Sequence, residues 1–185
     1  IITAVELARK AGFTNIGVDL IYGLPRQTLA AWRYNLEAAL ALKIEHISLY
    51  SLQVDNNSEW GRLAVAGKLS PADDDLAADM LQLALDMLKA AGFEHYEIAN
   101  FAKPGFASRH NSAYWQRQDY LGLGVAAASC ASNHRWVNSA GLGEYFGKVA
   151  NGVKPVAAEE FLTPAQVLGE AVFLGLRQSR GGSLA

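Results

Sequence analysis

The chain has a single cysteine, Cys130, which excludes an internal disulfide and any metal site built from several thiolates of this chain. Long apolar runs are missing as well. None approaches the roughly 20 residues that cross a bilayer, and nothing at the N-terminus resembles a signal peptide. Neither sign of charge is in excess: the formal net charge of -2 leaves no electrostatic footprint for nucleic acid or acidic lipid. Internal repeats and low-complexity segments are absent too. What remains is the expectation of a soluble protein of cytoplasmic type. A starting methionine is also lacking. The opening "IITAVELARKAGF" has helical spacing at Ala4, Leu7 and Ala11 before Gly12, yet leaves little room for a capped first turn. The closing "SRGGSLA" trails off directly after a predicted helix. Both ends read as cuts in a longer chain.

What is present is a core. Of 185 residues, 51% are apolar and 18% charged, which predicts a packed domain, with or without an appendage, rather than disorder. After Gly12, "NIGVDLIYGLP" is a near-continuous apolar run closed by Gly23 and Pro25, the pattern of a strand buried on both faces over 16–21. Thr28 caps a helix striped by Leu29, Trp32, Leu36 and Leu40. "HISLYSLQV" gives a second strand over 46–52. Ser70, Pro71 and Asp73 then supply a cap, a first-turn proline and an acid for a helix through Leu76, Met80, Leu83 and Met87. "HYEIANF" is a third strand over 95–99. Such βα alternation builds a doubly wound sheet or a barrel, and three strands cannot close a barrel. Beyond residue 100, "HRWVNS" reads as a strand and 141–151 as a helix. Thr163, Pro164 and Gln166 form a capping box for another helix.

Asp19 stands out in its apolar strand, because an isolated buried carboxylate is costly unless paired. Polar residues near the C-terminal ends of parallel strands line ligand sites, so Asp19 is a candidate, expected beside the backbone of Ser51. Glu97, beside His95, Tyr96 and Asn100, follows the same logic. Asp55 after the second strand reads as an ordinary loop residue. The segment "RHNSAYW" at 109–115, read as a loop between turn signals, raises a sharper question. Imidazole is a good ligand for haem iron, Tyr114 and Trp115 offer flat apolar surface, and Arg109 can pair with a carboxylate. The competing reading is that the aromatics merely pin a long loop. Residue chemistry alone leaves these two readings equal.

The blocks "DLIYGLPRQT", "HISLYSL", "HYEIANFAKPGFASRHNSAYW" and "DYLGLG" occur in an order similar to that of the HemW-type haem chaperones. These are radical SAM proteins related to oxygen-independent coproporphyrinogen III oxidase. The resemblance covers roughly residues 12–178, and "HNSAYW" is its most specific part, resembling the haem-binding motif HNxxYW. It implies an α/β fold: residues 1–100 as C-terminal βα units of a (βα)6 partial TIM barrel, and residues 101–185 as an appended α+β segment with the haem-binding loop. The family's [4Fe–4S] cluster is held by a three-cysteine motif in an N-terminal half that this chain does not contain. By similarity, Asp19 matches the acid that binds the ribose hydroxyls of S-adenosylmethionine, while Ser51 and Ala128 match positions whose backbone lines that pocket. His110 matches the haem-iron ligand, with Asn111, Tyr114 and Trp115 completing its motif. Many chaperones read "GAHS" where this chain reads "AAAS", so Ala128 stands in place of a histidine.

The function that the resemblance implies is haem binding and transfer to haem-accepting apoproteins, possible as a homodimer and without nucleic acid. The runner-up is radical SAM oxidative decarboxylation of coproporphyrinogen III. A third reading is a barrel hydrolase using Asp19 and Glu97 as paired acids.

Overall fold

The computed structural model describes residues 1–182; Ser183 to Ala185, the tip of "SRGGSLA", lie outside the described residues. The chain divides into two compact units, Ile1–Ala107 and Ser108–Ala185.

In the first unit, α1 (Ile2–Lys10) leads into β1 (Gly17–Tyr22), α2 (Leu29–Ala41) and β2 (His46–Ser51). The Thr28 hydroxyl accepts the Ala31 N–H at 3.1 Å and starts α2, as its position predicts. Two more helices follow, α3 (Glu59–Val65), which periodicity does not reveal, and α4 (Asp74–Ala90). The expected cap at Ser70 is corrected. The carboxylate of Asp73 accepts the Leu76 N–H at 2.8 Å, so the helix begins three residues later than "SPAD" suggests.

The third strand needs a larger correction. "HYEIANF" is a tight hairpin of β3 (Glu94–Glu97) and β4 (Asn100–Ala102), and β4 runs antiparallel to β2. The four-stranded sheet has the order β1-β2-β4-β3, with only β1 and β2 parallel. Nor is β1 buried on both faces. Val18 and Leu20 pack on the core while Gly17, Asp19 and Ile21 stay exposed.

The core lies on the helix side of the sheet. Trp32 and Leu36 of α2 meet Met80, Ala84 and Leu88 of α4 over Ile47, Leu49 and Phe101. The Trp32 indole N–H donates to the Met80 carbonyl at 2.8 Å, so this wholly buried ring leaves no orphan donor. Glu45 ties the entry of the sheet to α1. Its carboxylate takes Arg9 Nη2 at 2.7 and 2.8 Å and the Ile16 N–H at 2.9 Å. Partial burial pushes its pKa upward, but the Ile16 and Arg9 hydrogen bonds together outweigh this and hold it below the usual value.

The second unit opens with α5 (Arg109–Trp115), so the "RHNSAYW" segment is a short helix rather than a loop. A three-stranded antiparallel sheet follows, from β5 (Ala128–Ala131), β6 (His134–Asn138) and β7 (Val156–Phe161), with α6 (Leu142–Ala150) before β7 and α7 (Pro164–Gly175) after it. Ser132 and Asn133, with φ of 51° and 66°, make the two-residue turn between β5 and β6. The Thr163–Gln166 capping box forms as its spacing predicts.

Candidate functional site

Two sets of candidate residues lie in separate units. In the first unit, strand register lines up a polar row on the face of the sheet turned away from the helices. Asp19 of β1 pairs in register with Ser48 of β2, Ser48 with Asn100 of β4, and Asn100 with Glu97 of β3. Ser48, Asn100 and Glu97 are buried, whereas Asp19 is exposed. The Asn100 amide N–H donates to Glu97, and its buried Oδ1 has no partner among the described residues. Beside the row, His46 and Tyr96 share a hydrogen bond at 2.8 Å. Burial holds the imidazole below its ordinary pKa, opposed by the charges of Asp19 and Glu97.

The placement of Asp19 differs from expectation. It is the third residue of β1, opposite Ser48, while Ser51 lies opposite Tyr22. Three residues along a strand separate the two levels by about 10 Å. The paired-acid hydrolase reading fails on the same geometry. Asp19 and Glu97 sit three strand spacings apart, roughly 14 Å, beyond the ~5–9.5 Å that separates two carboxylates sharing one reaction. Asp55 has the local role its position suggests: its carboxylate accepts the Asn57 N–H at 2.8 Å and its carbonyl accepts the Ser58 hydroxyl. His95 stacks on Phe101 with ring centroids 4.3 Å apart.

In the second unit, Ser108 caps α5 by accepting the Asn111 N–H at 3.1 Å. His110 and Tyr114 stand one helical turn apart and both are exposed, with ring centroids 4.8 Å apart in an edge-on contact. Tyr114 in turn meets Tyr120 edge-on at 4.7 Å. Burial raises the pKa of the Tyr120 phenol, so it stays a neutral backing for the motif. Trp115 turns the other way. It is half-buried, with the Arg177 guanidinium 5.1 Å from its ring centre and, among the described residues, no acceptor for its indole N–H. Asn111 is half-buried on the same helix. Behind Tyr114 lies a cavity of about 210 Å³ walled by Arg117, Tyr120, Cys130, Arg135 and Glu170. It falls below the ~300 Å³ of sites for drug-sized ligands.

Ala128 opens β5 and is exposed. An ideal Cβ on Gly122 would stand 2.2 Å from the Ala128 carbonyl, so the "DYLGLG" segment needs glycine there. Buried Ser129 and Asn138 fasten the same segment, through the Gly122 N–H at 2.9 Å and the Gly124 carbonyl at 2.9 Å. Sequence reasoning misses His46, Ser48, Arg117 and Tyr120. The first two become visible only through register. For Tyr120, the aromatic spacing 110, 114, 120 was the available signal.

No family model matches the chain. It is 38% identical over 178 residues to the haem chaperone HemW of Lactococcus lactis subsp. lactis (strain IL1403), covering 96% of this chain and 46% of that protein. HemW of Bacillus subtilis (strain 168) is 36% identical over 183 residues, 99% of this chain and 48% of its own length. A mitochondrial radical S-adenosyl methionine domain-containing protein 1 of Danio rerio matches at 36% over 123 residues, 66% of this chain and 28% of that protein. Among solved structures, the radical SAM enzyme coproporphyrinogen III oxidase of Escherichia coli superposes with a TM-score of 0.78 at 22% identity, covering 95% of this chain and 43% of that one. This likeness gives the fold: an α/β part of a radical SAM barrel with an appended α+β segment. The chain spans about half the length of the HemW relatives it matches. Matched along nearly all of its own length, the chain belongs to the HemW family, within the radical SAM fold.

Proposed function

We propose that the protein binds haem through His110 and passes it to a haem-accepting apoprotein, as part of a longer radical SAM protein. The observation that carries this reading is the exposed His110 imidazole on α5, flanked edge-on by Tyr114 at 4.8 Å, with Tyr120 behind it. An exposed nitrogen base beside aromatic surface suits a planar, iron-bearing ligand, and haem supplies an iron atom open to axial ligation. The Tyr114 ring limits how the imidazole can turn, and the surface position of His110 suits release as well as capture.

The residues present also fit S-adenosylmethionine in part. The exposed Asp19 carboxylate offers two acceptors for ribose hydroxyls. They do not fit an iron–sulfur cluster, because Cys130 is the only thiol and sits half-buried on β5. No helix among the described residues is long and apolar enough to cross a membrane.

The test is a haem titration. The parent should give a Soret band of histidine-ligated haem, and His110→Ala should shift that band and weaken binding by at least tenfold. An unchanged band and affinity in the mutant would make α5 a structural anchor and move the oxidase reading ahead.

A further inference from the structure

The motif helix ends on a residue that its backbone does not favour. The Arg117 N–H donates to the Tyr114 carbonyl at 3.1 Å and the Gln118 N–H to the Ala113 carbonyl at 2.9 Å, the two bonds of a Schellman end. Arg117 therefore holds the position that glycine usually fills, with φ of 53°. A side chain kept in the left-handed region persists when its surroundings over-determine it.

Those surroundings are specific. Arg117 Nε donates to Glu170 Oε2 on α7 at 3.2 Å, and its Nη2 donates to Asn133 Oδ1 in the β5–β6 turn at 3.0 Å. Glu170 also accepts a hydrogen bond from Arg135 of β6, so one carboxylate joins guanidinium groups from the helix end and the sheet. Arg117 and Glu170 are 19% and 23% exposed, which shields the pair from full solvent screening. Arg117 and Tyr114 wall the same cavity.

Glycine or asparagine would satisfy the backbone at this turn unaided. The arginine adds a tie between the end of α5, α7 and the β5–β6 turn, and that tie fixes the direction in which the helix points. We infer that Arg117 is a positioning residue for the haem ligand. Through Glu170, Arg135 and Asn133 it sets the aim of the His110 imidazole and the Tyr114 ring without touching the ligand itself. This inference rests on the haem reading above.

The test is Arg117→Gly, which relieves the backbone while cutting the tie. The chain should keep its melting temperature or gain slightly, yet bind ferric haem about 10- to 100-fold more weakly, the usual cost of losing a group that orients a ligating histidine. Its Soret band should shift away from that of the parent, and Glu170→Gln should act in the same direction. An Arg117→Gly chain with parental affinity and spectrum overturns the inference. So does loss of folding in both Arg117→Gly and Arg117→Asn, which would make Arg117 a stability residue only. His110→Ala separates the two failures. If it weakens haem binding and Arg117→Gly does not, only the positioning role falls. If His110→Ala has no effect, the haem reading falls and takes this inference with it.

Discussion

His46 shows how a residue without any sequence signal becomes conspicuous through its surroundings. It opens β2 as an ordinary polar residue, yet register places it on the open face near Asp19 and Glu97, bonded to Tyr96. Its pKa is depressed in the fold, so between that value and the unfolded value near 6.5 the unfolded chain binds more protons than the native one. Stability from this group is fully present above about pH 6.5 and is lost as pH falls through the folded pKa. Urea midpoints should therefore drop between pH 7 and pH 5 more steeply in the parent than in His46→Gln; equal slopes would show that the imidazole titrates freely. The motif rings divide in a similar way. Tyr114 stands exposed beside His110, whereas Trp115 is half-buried against Arg177, whose guanidinium also lies over Phe173. Tyr114→Ala should weaken haem binding with a small change in urea midpoint. Trp115→Ala should first lower the unfolding free energy from urea melts, by about 1–3 kcal/mol for lost burial and cation–π contact. The sequence named both rings but could not divide their roles, because helical spacing does not say which side of a seven-residue helix meets the core.

At the scale of elements, legibility followed the range of the interaction that decides each one. Caps are local, and Thr28 and the Thr163–Gln166 box were readable from a few residues. Choosing between Ser70 and Asp73 was already harder, since both are good caps and the packing of α4 selects one. The β3–β4 hairpin was not legible. It turns at Ile98 and Ala99 without glycine or proline, and its register shifts between His95 and Glu97. Strand β7 was missed because five of its six residues are exposed, which removes the alternation a strand normally shows. The α2–α4 contact was readable as apolar spacing but not as a hydrogen bond. Trp32→Phe keeps an aromatic ring but removes the indole bond to the Met80 carbonyl, and should cost about 0.5–1.5 kcal/mol in urea melts. Trp32→Ala should cost about 3–5 kcal/mol through the cavity it leaves. A Phe variant as stable as the parent would show that the indole hydrogen bond contributes nothing net.

For the molecule as a whole, βα alternation leaves a doubly wound sheet and a barrel both open, the partial barrel follows only from the family resemblance, and the open face and edge of the sheet require coordinates. Among the described residues β1 pairs with β2 alone, so its other side presents unpaired backbone groups. Near the end of that strand, Ile21 is 47% exposed and lies in register with Tyr50 of β2, which is 44% exposed. An unpaired strand edge flanked by exposed apolar side chains is a template for pairing with a second chain. Folding does not remove this surface, because Val18 and Leu20 already satisfy the core from the opposite face. The chain should therefore self-associate as its concentration rises, seen as growth in light scattering without loss of helix signal. Ile21→Lys should suppress that growth, since a lysine on an edge strand opposes strand addition. It should leave stability within about 0.5 kcal/mol of the parent, because the side chain it replaces is not part of the core. Equal scattering from both chains would place the association elsewhere, and a large fall in stability would mean that Ile21 supports the fold more than its exposure implies.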